Sequence, residues 1–166
     1  MSAVAEAPTG LALFEGLLRG ELEPPPMGKL MGIELVEAAE GRVAFEAEPA
    51  PEFYNATGAV HGGFAATLLD SALGCAVHTT LPADGGYATL GLEVKYVRAI
   101  TLDTGRVRVV GEVEHRGRRQ ATASARVTAV ADGKLLATGT TTCLITRART
   151  APGATRGAHR QESDRI

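Results

Sequence analysis

The feature that most constrains this chain is a long proline-free segment at its centre, Gly62 to Thr80, which reads GGFAATLLDSALGCAVHTT. At about 1.5 Å per residue, this segment predicts a single helix of roughly 28 Å. It is apolar nearly all round, and the exceptions are Asp70, Ser71 and His78. A helix that lacks a polar face has to be buried or wrapped by a sheet. The rest of the chain is therefore expected to supply that cover.

The segments on both sides of this helix alternate in the manner of β-strands. Before it, Gly32 to Glu48 predicts a hairpin. After it, four strand-like segments follow, and one of them sets a row of alanines against polar residues, so that one sheet face can approach a helix closely. The order predicts an α+β fold in which a single curved antiparallel sheet, its last four strands in a meander, wraps the central helix. These four strands are expected at Tyr87 to Val97, Arg106 to His115, Gln120 to Val130 and Leu135 to Thr146.

The two ends of the chain differ from the central part. Thr9 to Leu22 predicts a short amphipathic helix with Thr9 as its N-cap, and the three prolines between Glu23 and Met27 end it. Ala148 to Ile166 is rich in Arg, Ala and Gly and predicts a disordered tail. We therefore expect three parts: an N-terminal helix with a proline-rich connector over residues 1–26, a folded domain over 27–147, and a tail over 148–166.

Charge and composition exclude several classes of function. The net charge of −2 provides no footprint for nucleic acid or for an anionic membrane surface. No apolar run reaches the ~18 residues of a membrane span, and the N-terminus lacks the features of a secretory signal. The two cysteines, Cys75 and Cys143, are expected to be buried thiols in a reducing, cytoplasmic compartment. The four histidines have no Glu or Cys partner at ligand spacing, so no metal is predicted.

One group of residues is suited to chemistry, and it begins where the central helix begins. The run His61-Gly62-Gly63 places two glycines at a helix N-terminus, where backbone N–H groups are unpaired and carry partial positive charge. Glycine lets a ligand oxygen approach such groups, as in an oxyanion hole. In the alternative interpretation, the glycines only permit tight packing and His61 caps the helix.

Asp70 adds a carboxylate in the middle of the apolar helix, where burial is costly unless the group is paired or functional. It lies seven and eight positions beyond Gly63 and Gly62, which is about two turns or roughly 10 Å from the glycine amides, too far to serve the same small group within one chain. Two antiparallel copies of the helix in a two-fold dimer would bring Asp70 of one copy near Gly62 of the other. Alternatively, Asp70 bonds to neighbouring backbone or faces a water-filled groove, and the residues alone leave both interpretations open.

The glycine pair and Asp70 belong to a longer motif. It reads Asn55-x-x-Gly58-x-x-His61-Gly62-Gly63-x-x-x-Thr67-x-x-Asp70 and is accompanied by Phe53-Tyr54-Asn55, by Leu92-Glu93-Val94-Lys95-Tyr96 and by His115-Arg116-Gly117-Arg118. In these residues the chain resembles the hotdog-fold acyl-CoA thioesterases of the PaaI type, a family that includes phenylacetyl-CoA and 4-hydroxybenzoyl-CoA thioesterases. The similarity covers roughly Leu30 to Thr146. It implies a hotdog fold, hydrolysis of an acyl-CoA thioester to free acid and CoA, no cofactor apart from the CoA of the substrate, and homodimers that pair into tetramers.

The resemblance also implies roles for the residues of the reaction centre. Asp70 matches the family's catalytic carboxylate, which acts as a general base on water or attacks the thioester carbonyl directly. The backbone N–H groups of Gly62 and Gly63 would polarise that carbonyl. Asn55 would help to position the carbonyl or the water, from the subunit opposite to Asp70. Thr89 falls where relatives carry a Ser or Thr that helps to hold the nucleophilic water.

Other matches concern the helix start and the CoA nucleotide. His61 is expected to be structural at the helix start rather than an acid–base group. Arg116 and Arg118, which flank Gly117 in a turn, match the family's nucleotide contacts, and Arg98 is a weaker candidate. For each arginine, a solvated surface residue is the alternative interpretation.

Two alternative functions stay open at this stage. The first is a non-catalytic hotdog protein that binds or senses acyl-CoA. The second is a hotdog hydratase or dehydratase, which needs an Asp/His dyad, and no suitably spaced His follows Asp70. The acyl group itself is not indicated by the sequence, since aromatic and aliphatic thioesters both fit.

Overall fold

The protein is described here by a computed structural model of residues 8–147; the expected tail at 148–166 lies outside the described residues. Within these residues the chain forms three α-helices and six β-strands, in the α+β arrangement expected. The helices are α1 (Gly10–Leu18), α2 (Pro26–Met31) and α3 (Gly62–Thr79). The strands are β1 (Glu34–Ala39), β2 (Arg42–Ala47), β3 (Gly85–Tyr96), β4 (Val107–Arg116), β5 (Gln120–Ala129) and β6 (Leu135–Arg147).

All six strands form one antiparallel sheet in the order β1-β2-β4-β5-β6-β3. The expected meander of the last four strands is therefore wrong in one respect, because β3 pairs with β6 and not with β4. The reason lies in the path of α3, which runs across the inner face of the sheet. The chain leaves the β1–β2 hairpin, follows this helix and starts β3 at the opposite edge, and β4 then returns to pair with β2. Strand β3 is consequently an edge strand.

Small side chains let the sheet approach α3 closely. The inner face of β5 carries Ala121, Ala123 and Ala125, all of which are buried. On β4, a Cβ added to Gly111 would lie 2.4 Å from the backbone oxygen of Ala72, so the strand touches the helix backbone itself. The remaining space is filled by the large apolar side chains of α3, among which Leu68, Leu69 and Leu73 are fully buried.

The N-terminal segment packs onto this domain. The side-chain oxygen of Thr9 accepts a hydrogen bond from the backbone N–H of Ala12 at 3.3 Å, as expected of an N-cap. Helix α1 ends at Leu18, earlier than expected, and its Phe14 meets His78 of α3 edge to face with ring centroids 5.6 Å apart. Helix α2 differs from the expectation that the prolines only end a helix, because proline is also favoured in the first turn of a helix. It crosses the boundary expected between residues 26 and 27, since its first residue is Pro26.

Candidate active site

The start of α3 engages one of the two glycine amides and leaves the other free. His61 is the N-cap, and its Nδ1 accepts a hydrogen bond from the Gly63 N–H at 2.8 Å. The Phe64 N–H bonds to the His61 carbonyl oxygen at 2.9 Å. Gly62 occupies the first helical position, and its N–H has no hydrogen-bond partner among residues 8–147. Of the two amides named from the sequence, Gly62 is therefore available to a ligand oxygen and Gly63 belongs to the cap.

The cap also defines the state of the His61 ring. Because Nδ1 accepts a hydrogen bond, a neutral His61 carries its proton on Nε2. A second proton would have to sit on Nδ1 and would remove the bond to Gly63. The ring thus organises the helix start, in keeping with the structural role that the resemblance implies.

Tyr96, at the end of β3, contacts the start of α3, and the sequence alone assigned it no role in the site. Its hydroxyl donates a hydrogen bond to the Gly62 carbonyl oxygen at 3.1 Å. Its ring packs directly against Gly62, since a Cβ there would lie 3.0 Å from both Cζ and the hydroxyl oxygen of Tyr96. The sequence carried one signal for this contact, namely the place of Tyr96 in the family pattern after the helix.

Asp70 lies half-buried in the middle of α3, facing β3. The hydroxyl of Thr89 donates a hydrogen bond to Oδ1 of Asp70 at 3.1 Å. Thr89 sits at a β-bulge, where the register between β3 and β6 shifts before Gly91 and Leu90 is the extra residue. No Lys, Arg or His forms an ion pair with Asp70 within the described part of the chain. The carboxylate is thus held on one oxygen and free on the other.

The polar groups around Asp70 are held neutral by burial. Burial raises the pKa of the Cys75 thiol to about 12, and the nearby charge of Asp70 contributes to the rise. Burial also raises the pKa values of Tyr87 and Cys143, with a further contribution from Asp70 in both cases. Neither cysteine is therefore a thiolate nucleophile at neutral pH. Asp70 is the group in this cluster suited to acid–base or nucleophilic work.

Gly62 and Asp70 do not meet within one protomer. They are eight residues apart on one helix, which separates them by about 12 Å along its axis. The structure therefore brings Thr89 to Asp70 and Tyr96 to Gly62, but it leaves these two pairs at different points of α3.

Asn55 uses its side-chain oxygen to shape the loop before α3. Oδ1 accepts hydrogen bonds from the N–H of Thr57 at 3.0 Å, the hydroxyl of Thr57 at 2.7 Å and the N–H of Ala59 at 3.1 Å. The turn includes Gly58 at φ +79°, a backbone conformation that favours glycine. Since Oδ1 is fully occupied, the amide NH₂ of Asn55 is the group left for a ligand.

The turn between β4 and β5 exposes a cluster of cations. Arg116, Arg118 and the neighbouring Arg119 are exposed, and none of them pairs with a carboxylate among residues 8–147. The turn is closed by the Gly117 N–H, which donates to the Gln120 carbonyl oxygen at 2.8 Å. Beside it lies an open depression of about 360 Å³. These features are suited to an anionic ligand.

Arg98 has a different environment from these three arginines. Its Nη1 donates a hydrogen bond to the Leu135 carbonyl oxygen at 2.7 Å, which ties the end of β3 to the start of β6. Arg98 also lines a cavity of about 210 Å³ together with His61, Gly62 and Tyr96. Part of its hydrogen-bonding capacity is thus already used by the fold.

Among residues 8–147, no three His, Cys, Asp or Glu side chains come together in a way that could hold a metal ion. None of the helices in that range has the length and apolar character needed to cross a membrane.

Comparison with known proteins places this chain in a family of enzymes. The model of the Thioesterase superfamily matches residues 57–136, which include the start of α3, Asp70 and Thr89. Acyl-coenzyme A thioesterase 13 of Homo sapiens is 34% identical over 107 residues, which cover 64% of this chain and 75% of the human protein. The curved sheet, the central helix and the match to this family together define a hotdog enzyme of the thioesterase class. The chain belongs to the thioesterase superfamily.

Solved structures agree with this assignment. A phenylacetic acid degradation-related protein from Ralstonia eutropha JMP134 superposes with a TM-score of 0.71 at 28% identity, over 79% of this chain and 98% of that one. A Streptococcus mutans UA159 protein bound to acetyl CoA gives a TM-score of 0.63 at 25% identity, over 71% of this chain and 91% of that one. The hotdog fold and the family expected from the sequence are confirmed.

Proposed function

We propose that this protein hydrolyses acyl-CoA thioesters to a free acid and CoA. The relative from Homo sapiens is named for this substrate class, and the Streptococcus mutans neighbour contains acetyl CoA. The observation that carries the proposal is the Asp70 carboxylate, half-buried on the central helix, hydrogen-bonded by Thr89 on Oδ1 and without a cationic partner in the described part of the chain. A carboxylate held in this way is poised to accept a proton.

The pairing of Asp70 with Thr89 supports Asp70 as a general base on water. The Thr89 hydroxyl donates its hydrogen bond to Asp70, so the lone pairs of the Thr89 oxygen remain available to accept a hydrogen bond. A water molecule that donates one hydrogen to Thr89 and the other to the free Oδ2 of Asp70 turns a lone pair towards the thioester carbonyl. Asp70 takes the proton as the C–O bond forms. The C–S bond then breaks, and the proton passes to the CoA sulfur.

The carbonyl oxygen gains negative charge as the water attacks, and it needs donors. The Gly62 N–H at the positive end of α3, which has no partner among residues 8–147, is proposed to supply one. The amide NH₂ of Asn55 is proposed to supply another, since the side-chain oxygen of Asn55 is already occupied by Thr57 and Ala59. Gly63 serves this site indirectly, because its N–H holds the cap with His61.

Because Gly62 and Asp70 lie about 12 Å apart on one helix, the site is completed by a second protomer. Strand β3 is an edge strand of 12 residues, and its central residues Thr89, Leu90 and Gly91 are exposed. A long open edge of this kind is a template for pairing with another chain. Pairing of two β3 edges around a two-fold axis would set the two α3 helices side by side, so that Asp70 of one protomer serves Gly62 of the other. Dimers of this type are proposed to pair further into tetramers.

The nucleotide of CoA is proposed to lie at the β4–β5 turn. Arg118 lines the depression of about 360 Å³ and Arg116 is exposed on the same turn; neither guanidinium pairs with a carboxylate among residues 8–147, and phosphates are bound well by arginine. Gly117 keeps the turn tight. Arg98 is a secondary candidate because its guanidinium already bonds to Leu135. The reaction requires no cofactor apart from the CoA that the substrate itself carries.

The first experiment measures CoA thiol release from phenylacetyl-, hydroxybenzoyl-, hexanoyl- and palmitoyl-CoA. We expect the wild type to turn over at least one of them and Asp70→Asn to lose about 100-fold or more in kcat. Asp103→Asn, an exposed carboxylate elsewhere, is the matched control and should behave as wild type. If the wild type releases no thiol but acyl-CoA raises its melting temperature, the protein is an acyl-CoA sensor and the proposal fails.

The shared site is tested by mixing two inactive variants. Gly62→Pro removes the N–H at the first helical position, where proline is tolerated, and His61 at φ −62° and ψ 136° already has the backbone of a residue before proline. Co-expression of Gly62→Pro with Asp70→Asn should restore about one quarter of wild-type activity, because half the dimers are mixed and each has one intact site. No recovery in mixed dimers would place the whole site in one protomer.

A further inference from the structure

Tyr96 holds the proposed oxyanion donor at two points. Its hydroxyl bonds to the carbonyl oxygen of Gly62 at 3.1 Å, and its ring fills the space on Gly62 where a side chain would be. The side chain itself is 59% exposed and lines the cavity of about 210 Å³ next to His61 and Gly62.

Gly62 needs such support because of its own chemistry. Without a Cβ, it has wide freedom at both backbone dihedrals, and Gly63 follows it directly. An N–H that stabilises charge in a transition state must be oriented before the reaction begins. The cap formed by His61 fixes the Gly63 N–H, and the Gly62 N–H has no partner among residues 8–147. The Gly62 N–H shares its peptide unit with the His61 carbonyl, which the Phe64 N–H holds at 2.9 Å. Tyr96 holds the next peptide unit at the Gly62 carbonyl and packs against the Cα between the two units, so it limits rotation about the Gly62 backbone dihedrals.

We propose that Tyr96 is a positioning residue for thioester hydrolysis, which orients the Gly62 amide through its hydroxyl bond to the Gly62 carbonyl and the packing of its ring. This inference rests on the proposed function. Strand β3 then supports both parts of the site, because its Thr89 bonds to Asp70 and its Tyr96 bonds to Gly62. In the two-fold dimer, Gly62 with Tyr96 of one protomer would face Asp70 with Thr89 of the other.

The test compares kcat and KM in Tyr96→Phe, which keeps the ring and removes the hydroxyl. We expect kcat to fall between about three- and tenfold, the size of one neutral hydrogen bond, while KM changes less than about twofold. The melting temperature should not change, because the side chain is exposed. Tyr54→Phe is the matched control, since the Tyr54 hydroxyl makes no hydrogen bond among residues 8–147, and it should retain wild-type kcat.

A second variant acts on the same contact from the other side. Gly62→Ala keeps the N–H but places a methyl group 3.0 Å from the tip of Tyr96, which must shift. We expect a loss of kcat similar to that of Tyr96→Phe, and the double variant should lose little more than the worse single variant, since both break one contact. Full additivity would refute the inference.

The two proposals fail in distinguishable ways. A wild type that hydrolyses none of the four thioesters overturns the proposed function, and the inference about Tyr96 with it. A wild type that hydrolyses a thioester, with Tyr96→Phe equal to it in kcat, overturns only the inference. A raised KM at unchanged kcat would make Tyr96 a wall of the binding cavity and would also overturn it.

Discussion

Replacing Gly111 with Ala tests whether the sheet truly rests on the backbone of α3. The added Cβ would lie 2.4 Å from the carbonyl oxygen of Ala72 and 2.6 Å from its carbonyl carbon. Both partners are backbone atoms in regular elements, so neither side can rotate away, and α3 has to move off β4 by up to about 1 Å to restore ordinary contact. The movement would loosen the large apolar side chains around it, of which Leu69 and Leu73 are fully buried.

Overpacking of this kind costs about 1–3 kcal/mol, and the rigidity of both partners places Gly111→Ala in the upper part of that range, near 2–3 kcal/mol. For a chain of this length, each kcal/mol lowers the melting temperature by about 2–4 °C, which predicts a fall of about 4–12 °C. Urea unfolding at fixed protein concentration is the assay, since association into the proposed dimer would make the midpoint depend on concentration.

The matched control is Gly139→Ala on β6. Its Cβ would meet the Glu93 carbonyl oxygen at 3.2 Å and Cδ1 of Leu69 at 3.3 Å, and the leucine side chain can give way. We expect a cost below about 1 kcal/mol, offset in part by the lower conformational entropy of Ala. If the free energy of unfolding of Gly111→Ala lies within about 0.5 kcal/mol of the wild-type value, the sheet does not pack on the helix backbone as closely as described.

Three further predictions concern the site and its surroundings. Thr89→Val removes the hydrogen bond to Asp70 while keeping the shape, and it should lower kcat by about 10- to 100-fold, the value of a bond to a charged group. Burial lowers the pKa of His78 below its ordinary value of 6.5, so the unfolded chain binds this proton at a higher pH than the folded one. The free energy of unfolding should therefore fall as the pH drops below 6.5, and thermal melts of His78→Phe should show a weaker fall. Arg118→Gln should raise KM for acyl-CoA several-fold but leave KM unchanged for the matching pantetheine thioester, which lacks the nucleotide.

Each of these predictions has a control on the same protein. Thr140→Val changes an exposed threonine of β6 and should keep wild-type kcat. An equal loss of kcat in Thr140→Val and Thr89→Val would show that the hydrogen bond from Thr89 to Asp70 is not the cause. His115→Gln changes an exposed histidine, and if it rather than His78→Phe weakened the pH dependence, burial of His78 would not be the cause. Arg126→Gln lies on β5, away from the turn, and a rise in KM for both arginine variants would indicate a general charge effect.

The secondary structure was predictable because its signals are local. The central helix was expected from Gly62 to Thr80 and runs from Gly62 to Thr79. This was predictable because the spacing of its apolar residues and its lack of proline are properties of one continuous segment. Strand β5 was expected from the alternation of Ala with polar residues and begins at Gln120 as expected. The short helix α2 was missed because a proline-rich segment can either break a helix or begin one.

The candidate site was predictable only in its residue types. A glycine pair at a helix start and a carboxylate in an apolar helix are visible in one chain, and the resemblance adds Thr89 to them. Which glycine amide is free depends on how the His61 ring turns to cap the helix. The contact of Tyr96 with Gly62 joins residues 34 positions apart, and no periodicity carries such a pairing.

The sequence by itself determined the six strands, the helices α1 and α3, the buried alanine face of β5 and the family, because side-chain pattern and motif act over short distances along the chain. Only the tertiary structure decided that β3 lies beside β6 at the edge of the sheet, where its bulge presents Thr89 to Asp70 and its end presents Tyr96 to Gly62. The physical reason is that strand order and side-chain contacts between distant residues are set by how the whole sheet closes around α3, and every strand contributes to that packing.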